Sequence, residues 1–376
     1  MISVKEAEKI LSKFHFNKTE YVKIEDAYGR VLAEDIVSDI DIPRFDRSDI
    51  DGYAVAEILD EYVLIEQVFA GDDKDLEING NECVLVATGG KVPKNTKYVI
   101  PIENTVRVGN KAVVISFDRI EEISRKGCDI KKGERILKKG TLINERNIGV
   151  LAGLGIEEVK VYKIPKIGII STGNELFKMT KDINSKTISS IVKKAGCKPI
   201  FLGIVKDDFN EIKEKIIEAS EKCDVVVTSG GVSVGEKDFL PKVVKDLGEI
   251  LFHKVKMRPG MPMLFGKIDK KPIFCMPGNV VSCLVCSYVF LLPFLMKMTH
   301  KPYRRKIIKA KLSEKIISEP DFLYLRPVKL KNGIAYPTFK GSNILTSILD
   351  ADGLAIIKEN ELEKNEGDII DIWMLD

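Results

Sequence analysis

The sequence predicts a multidomain fold of the α/β plus β class: a central doubly wound parallel-sheet domain with an N-terminal mixed domain, a β insert and a small C-terminal β domain. The chain has 376 residues, enough for two or three domains of about 150 residues each. Between residues 163 and 300, short apolar runs alternate with charged helical stretches, the pattern of a parallel sheet. Before and after that region, β-rich runs separated by turn residues predict antiparallel β structure.

The elements follow in chain order. Apolar positions from Val4 to Phe14 recur at helical spacing and predict an opening amphipathic helix. Short β-rich runs between Tyr53 and Val114 alternate with Gly, Asn and Pro turns and predict a small β insert. The predicted boundaries are 1–42 with 130–162 for a discontinuous N-terminal domain, 43–129 for the inserted β domain, 163–300 for the α/β domain and 301–376 for a C-terminal β-barrel-like domain.

Charge and cysteine content exclude several classes of protein. The 59 Lys and Arg residues nearly balance the 56 Asp and Glu residues, so no nucleic-acid partner is expected. Seven scattered cysteines and an acidic first segment indicate a cytoplasmic chain without a disulfide framework. The uncharged apolar run 280–296 contains Pro293 and is shorter than the ~20 residues that span a bilayer. It predicts a buried core helix and no membrane partner.

Three strands of the α/β region run directly into polar loops that contain glycine. The loops are 171–175, 228–238 and 277–279. Loops at the carboxyl ends of parallel strands lie together, and their backbone amides suit phosphate or another oxyanion. Glycine also closes such turns for steric reasons alone, and no loop matches a known phosphate-binding motif. Three such loops on one sheet nevertheless favour a binding site.

Carboxylates are concentrated in the same loops. Glu175 and Asp238 lie in two of them, and the pair Asp207 and Asp208 follows a fourth strand. Carboxylates beside phosphates repel them unless a cation intervenes, and Mg²⁺ takes one or two carboxylates together with substrate phosphates. The alternative is that these residues are helix caps, because Asp is a favoured N-cap.

Three further segments have two interpretations each. In a strand, Lys254, Lys256 and Arg258 share one face and could either bind an anion or protect a solvated edge strand. The charged segment 45–54 between two domains is either a linker or part of a site. The Cys-x-x-Cys pair Cys283 and Cys286 has no second pair, so buried packing is favoured over zinc or redox chemistry.

Taken together and in this order, these segments resemble the molybdopterin molybdenumtransferases, the MoeA-type enzymes and the E domain of gephyrin. The most specific are 45–55, 171–176, 228–238 and 254–260 followed by 276–279. The resemblance implies a homodimer of four-domain subunits with a molybdopterin-binding type of α/β domain. It also implies Mg²⁺-dependent insertion of molybdate or tungstate into adenylylated molybdopterin, with release of AMP. Molybdopterin adenylyltransferase and apoenzymes that accept the cofactor are the partner proteins it suggests.

The resemblance also assigns roles to residues. Glu175, Asp207 and Asp238 correspond to the Mg²⁺ and pyrophosphate carboxylates, and Asp182 and Asn184 to an Asp-x-Asn motif that opens a helix. The expected catalytic residues are Asp51, Glu175, Asp207, Asp238, Lys254 and Arg258. The expected substrate-binding residues are Thr88, Asp129, Thr172, Gly173, Ser229, Gly230, Gly231, Ser233, Pro277, Gly278, Asn279, Arg326 and Ser342. Arg326 and Ser342 correspond to positions near the oxyanion, whereas Asp51, Thr88 and Asp129 correspond to positions supplied by the partner subunit.

The chain departs from the family pattern in three places. Val280 stands where Pro is usual, Met261 stands where Lys is common, and the loop 177–181 is short. Two other functions compete with the transferase. A molybdopterin adenylyltransferase shares the α/β domain, but the chain length and the flanking domains argue against it. A non-catalytic scaffold of the gephyrin type would not need the retained carboxylates.

Overall fold

The computed structural model describes residues 1–116, 121–177, 181–232 and 238–375. The chain forms two compact units, one of Met1–Glu20 with Val161–Asp376 and one of Tyr21–Lys160. The first 20 residues therefore belong to the larger unit. The four domain boundaries drawn from the sequence stay a prediction.

The larger unit contains the predicted α/β sheet. Its six strands lie in the spatial order Lys198–Val205, Lys166–Thr172, Val225–Ser229, Lys271–Met276, Leu264–Ile268 and Glu249–His253. The first four are parallel. Leu264–Ile268 is antiparallel to both of its neighbours, Lys271–Met276 and the edge strand Glu249–His253. The predicted doubly wound fold class is confirmed, and one edge of the sheet also contains antiparallel pairing.

Helices cover both faces of this sheet because its strands are apolar on both sides. Ile169 faces one core, which includes residues of the helix Asn184–Lys194, while Ile170 faces a second core. That second core includes residues of the helices Phe209–Lys222 and Leu240–Leu247. The alternation of buried side chains along one strand therefore produces two hydrophobic layers.

The apolar run near residue 280 is a core helix, as predicted. It comprises Val280–Cys286, a π-helical turn Ser287–Leu291 and Leu292–Met298. At 19 residues it is longer than the sequence suggested and is apolar enough to cross a membrane by length and composition, yet 67% of its apolar window is buried inside the protein. Pro293 is tolerated because it lies in the first turn of the last helical segment.

The opening helix is shorter than its periodicity predicts. It spans Val4–Leu11, where Ser3 and Glu6 form a reciprocal capping box. Val4, Ala7 and Leu11 pack in the same core as the 19-residue helix. Phe14 lies beyond the helix, but its ring packs edge to face against Phe265.

A closed barrel ends the larger unit. Leu323–Lys331, Ile334–Pro337, Ile307–Leu312, Ile369–Met374 and Gly353–Ile357 are neighbours in that order, and the last pairs with the first. The short strand Met257–Arg258 joins this sheet in parallel with Leu323–Lys331. The remaining elements of this region are the strands Ile316–Ile317 and Glu363–Lys364 and the helix Thr346–Leu349. The barrel confirms the predicted C-terminal β architecture.

The smaller unit is built on the predicted β insert. Its six strands lie in the order Tyr98–Pro101, Gly52–Val55, Glu82–Val86, Glu61–Val68, Lys111–Val114 and Thr105–Val108. Two strand pairs accompany them, Arg47–Ser48 with Ile123–Ser124 and Ile36–Val37 with Arg135–Leu137.

The helix Glu145–Gly153 begins after Asn144, whose side chain caps it. Thr19–Lys23 pairs with Glu158–Tyr162, and short 3₁₀ turns are Ile24–Asp26, Ile102–Asn104 and, in the larger unit, Asn174–Phe177.

Candidate active site

The polar loops meet in one pocket at the carboxyl edge of the parallel strands, as predicted. The pocket has a volume of about 420 Å³. It is lined by Thr172, Gly173, Glu175, Asp207, Gly230, Gly231, Val232, Asp238, Pro262, Pro277, Gly278, Asn279 and Ser282. Ten of these residues are predicted site residues. The structure therefore brings the three loops and the three carboxylates together, and we call this cavity the loop pocket.

Glycine is required in the loop pocket by geometry. Gly230 has a φ of +98°, and a Cβ there would overlap the carbonyl oxygen of Thr172. Gly173 has a φ of +145°, and a Cβ there would overlap the carboxylate of Glu175. A Cβ on Gly278 would lie 3.5 Å from the Cα of Gly230. Only at Gly230 does the backbone of another loop exclude a side chain, whereas Gly173 needs its positive φ and Gly278 is in ordinary contact with Gly230.

Asp207 and Asp208 are adjacent in sequence but have different partners. Asp207 accepts a hydrogen bond from the Asn174 amide at 3.0 Å, and its own amide donates to the Asn174 side chain at 3.3 Å. Asp208 instead caps the helix Phe209–Lys222 by accepting from two amides. For Asp208 the capping interpretation is therefore the observed one, while Asp207 faces the pocket.

The donor set fits a magnesium ion that arrives with a phosphorylated substrate. Within the described ranges, no group of three metal-binding side chains is close enough to hold a cation alone. Mg²⁺ does not require such a group, since it usually keeps one or two carboxylates, substrate phosphates and water. Glu175, Asp207 and Asp238 line one cavity and can supply those one or two carboxylates.

The loops are tied together by Asn184, which lies outside the predicted set of binding residues. Its amide donates to the Ser229 hydroxyl at 2.8 Å and to the Gly278 carbonyl at 2.7 Å. Ser171 donates to the side chain of Asp182, which also accepts from the Ser185 amide at the start of the helix. The Asp-x-Asn spacing was the sequence signal for this arrangement. Ser229 and Asn184 line a smaller cavity beside the loop pocket.

The predicted cationic strand is not continuous. The strand Glu249–His253 ends before Lys254, whose φ is +67°. Met257–Arg258 then forms a separate strand in the barrel sheet. The prediction that Lys254, Lys256 and Arg258 share one strand face is therefore wrong, because a left-handed residue interrupts the alternation.

Arg258 and Arg326 form a second charged region, which we call the arginine pair. Arg258 makes an ion pair with Glu319 at 2.8 Å and lies 4.8 Å from the ring centre of Phe322. Arg326 lies 4.3 Å from the ring centre of Phe339. Burial lowers the pKa of Arg326, and the positive charge of Arg258 lowers it further. Arg258 pairs with Tyr324 of the neighbouring strand, two residues before Arg326. Two guanidinium groups at neighbouring positions can bind one anion together.

Ser342 connects the barrel region to the loop pocket. Its hydroxyl accepts a hydrogen bond from the Asn279 side chain at 3.0 Å, and its carbonyl accepts from the Val281 amide at 3.0 Å. The loop that ends in Asn279 is thereby held against the segment after the strand Ile334–Pro337. Ser342 and the loop pocket are neighbours although they are distant in sequence.

The predicted residues of the smaller unit are only partly clustered. The amide and hydroxyl of Thr88 both donate to one oxygen of Asp51, at 2.6 and 2.8 Å. These bonds lower the pKa of Asp51. Asp129 is exposed, and its amide donates to the Ile42 carbonyl. Asp51 and Thr88 thus form one contact pair.

Two further predictions concern residues of the loops and the core helix. Ser233 lies outside the described residues, as does most of the short loop 177–181. Cys283 and Cys286 are fully buried in the core helix. Burial raises the pKa of Cys283 to about 12, so neither the position nor the protonation state suits a nucleophile.

A doubly wound sheet with glycine loops and carboxylates at its carboxyl edge is typical of α/β proteins that bind phosphorylated ligands. Three family models match the chain: "MoeA N-terminal region (domain I and II)" over residues 2–155, "Probable molybdopterin binding domain" over 168–297 and "MoeA C-terminal region (domain IV)" over 309–375. The chain belongs to the MoeA family of molybdopterin molybdenumtransferases, which are transferases of molybdenum cofactor biosynthesis.

Individual relatives are similar to this chain over nearly its whole length. The molybdopterin molybdenumtransferase of Haemophilus influenzae is 31% identical over 97% of this chain and 96% of that protein. The enzyme of the same name from Staphylococcus aureus is 33% identical over 94% of this chain and 88% of that protein. A crystal structure of a molybdopterin biosynthesis MoeA protein from Pyrococcus horikoshii has a TM-score of 0.87 and 32% identity, covering 100% of this chain and 99% of that chain.

Proposed function

We propose that this protein inserts molybdate or tungstate into adenylylated molybdopterin with the help of Mg²⁺ and releases AMP. The observation that carries the proposal is the loop pocket, where three glycine loops and three carboxylates meet at one sheet edge. A phosphoanhydride needs donors for its oxygens and a cation that offsets its charge. The membership of the chain in the family supports this reaction over other phosphoryl chemistry.

In this proposal the loop pocket binds the phosphoanhydride. Backbone amides around Gly173, Gly230, Gly231 and Gly278 approach the phosphate oxygens, and Thr172 and Ser229 supply hydroxyl groups. Glu175, Asp207 and Asp238 would hold Mg²⁺, which supplies charge neutralisation at the phosphoryl oxygens when it is bound. Asn184 keeps the second and third loops in register through its two donated hydrogen bonds.

The arginine pair is the proposed site for the metal oxyanion. Molybdate and tungstate are tetrahedral dianions with the same shape, and Arg258 and Arg326 provide two neighbouring guanidinium groups. Ser342, which by the family resemblance corresponds to a position near the oxyanion, accepts a hydrogen bond from Asn279 of the loop pocket. This contact supports an oxyanion site next to the pyrophosphate site. Lys254 corresponds to a basic position of the family, and we propose that it adds positive charge to the site.

The working site is proposed to include residues from two subunits of a cytoplasmic homodimer. Asp51, Thr88 and Asp129 would be contributed by the partner subunit, with the region 1–42 and 130–162 serving dimerisation. Because a two-fold axis duplicates any contact, each dimer would contain two identical composite sites. Molybdopterin adenylyltransferase would deliver the substrate, and apoenzymes would accept the finished cofactor.

The reaction itself is tested by elemental analysis. The protein is incubated with adenylylated molybdopterin and with molybdate or tungstate, and the metal bound to isolated pterin is measured. The proposal expects stoichiometric metal on the pterin only when protein, oxyanion and Mg²⁺ are all present. Equal metal transfer without the protein would contradict the function.

The composite site is tested by subunit exchange. Neither Asp51→Ala nor Asp238→Ala homodimers should be active, whereas a mixed dimer holds one site with both lesions and one with neither. Random exchange of equal amounts makes about half the dimers mixed, so roughly a quarter of wild-type activity should return by symmetry. If no activity returns although mass spectrometry shows mixed dimers, the whole site lies within one chain.

A further inference from the structure

The ion pair between Arg258 and Glu319 places a negative charge at the arginine pair. The carboxylate lies 2.8 Å from the guanidinium, and the two side chains are 54% and 42% exposed. Arg326 is also influenced by Glu319, because that carboxylate raises the pKa of the arginine while Arg258 lowers it. Glu319 is thus a counter-charge shared by both arginines.

Arg258 keeps a second support when this ion pair opens. Its guanidinium lies over the ring of Phe322, and stacking on an aromatic face holds a guanidinium without using its in-plane hydrogen-bond donors. The Arg258 side chain is 42% exposed, so the terminal nitrogens of its guanidinium can donate to a ligand that offers several oxygens once Glu319 leaves.

We propose that Glu319 is a built-in competitor of the substrate oxyanion: it occupies Arg258 in the free enzyme, leaves it when molybdate or tungstate binds, and so sets the oxyanion concentration the enzyme needs. This inference rests on the proposed function, since it takes the arginine pair as the oxyanion site. Glu319 is a specificity-determining residue in this account and takes no part in bond making.

The energetics allow the exchange. An ion pair between half-exposed side chains is weak because water screens it. A dianion between two guanidinium groups gains more than one carboxylate at one of them, and removal of the carboxylate also removes its repulsion toward the dianion. Neutralising Glu319 therefore strengthens oxyanion binding, the opposite of what loss of a merely structural contact produces.

The test compares Glu319→Gln with a matched control, Glu249→Gln. Glu249 pairs with Lys267 at 2.8 Å with exposures of 58% and 41%, nearly the same as the Arg258 pair, but it lies on the edge strand of the α/β sheet. Calorimetry measures tungstate and molybdate binding to the full-length protein, and steady-state kinetics measures kcat and the KM for molybdate. Both are done at low and high ionic strength.

We expect Glu319→Gln to lower the dissociation constant for the oxyanion roughly three- to tenfold at low salt, as one removed charge in a half-exposed site implies. The KM for molybdate should fall with it while kcat stays the same, and the gain should shrink at high salt. Glu249→Gln should match the wild type. If the wild type binds the oxyanion but Glu319→Gln binds it equally or more weakly, the role given to Glu319 is wrong, while the proposed function is not affected.

A separate arm distinguishes failure of the proposed function. If the wild type binds the oxyanion and Arg326→Ala does not weaken that binding, the arginine pair is not the oxyanion site. If the wild type binds no oxyanion at all, the proposed function is contradicted and the role of Glu319 with it.

Discussion

The loop pocket and the arginine pair lie in the same unit but are built in opposite ways. The loop pocket consists mostly of backbone, glycine and short side chains at strand ends. The arginine pair consists of two long side chains that lie over aromatic rings of a barrel. In a site made from backbone, most loop positions accept only small residues. In a site made from long side chains, the residues next to each arginine in sequence can vary. The two regions should therefore respond differently to substitution.

The largest effect is expected for Asp238→Asn in the loop pocket. Turnover should nearly vanish because the proposed cation loses a ligand, while the melting temperature should stay within a few degrees of the wild type, since a neutralised loop carboxylate contributes little to the fold. AMP release and thermal unfolding measure the two effects. A fall in melting temperature of roughly ten degrees, several kcal/mol by the usual conversion, would make Asp238 a structural residue instead.

Gly230→Ala tests whether the backbone shapes the loop pocket. The backbone of residue 230 has a φ of +98°, and a Cβ there overlaps the Thr172 carbonyl. An alanine therefore strains the loop by roughly 1–3 kcal/mol. Displacing the loop by about 1 Å should lower the rate roughly 100-fold. Gly333→Ala is the control, because that glycine also has a positive φ, +76°, but has open space around its Cβ position and lies outside the loop pocket. Normal activity of Gly230→Ala would show that the loop is adaptable.

Arg326→Gln tests the second region by itself. Loss of one charged donor should raise the KM for molybdate roughly tenfold, as expected for a hydrogen bond to a charged group, while the affinity for AMP stays near that of the wild type. Competition binding with AMP provides the comparison. If both affinities fall together, the two regions do not act as separate sites.

The smallest effect is expected beneath the loop pocket. Cys283→Ser and Cys286→Ser should each retain activity, because both thiols are buried and burial raises the pKa of Cys283 to about 12. Alkylation of the native protein should modify Cys128, the exposed cysteine, and spare these two. Loss of a bound metal in either variant would revive a zinc site.

The difference between the two regions also explains what the sequence could predict. Thr172 and Ser229 each end a strand that is buried throughout its last residues. In the sequence, such a strand is an uninterrupted apolar run followed by a glycine loop, and this pattern indicated the edge of the sheet. The site at that edge follows from topology, because parallel strands end together. The residue pattern alone left Asp207 and Asp208 equivalent. The family resemblance selected Asp207, and the structure places Asp207 in the pocket and Asp208 at the helix cap.

Arg326, one member of the arginine pair, had no comparable signal. Arg326 lies inside the strand Leu323–Lys331, where nothing in its neighbours reveals that Phe339 will lie against it. Lys254 is a second example, because a left-handed residue other than glycine breaks a regular alternation without a sequence marker. Arg326 was found by the family resemblance alone, whereas the cationic pattern had also marked Lys254. The position of a long side chain depends on tertiary contacts, which the local sequence pattern does not reveal.

The central claim is that the carboxylates of the loop pocket and the oxyanion act in one reaction. Its most direct test is AMP release from adenylylated molybdopterin, measured with molybdate and Mg²⁺ each present or withheld and with the divalent cation chelated in one arm. The account predicts rapid AMP release only when both are present. AMP appearing at the same rate with Mg²⁺ chelated would contradict the roles given to Glu175, Asp207 and Asp238.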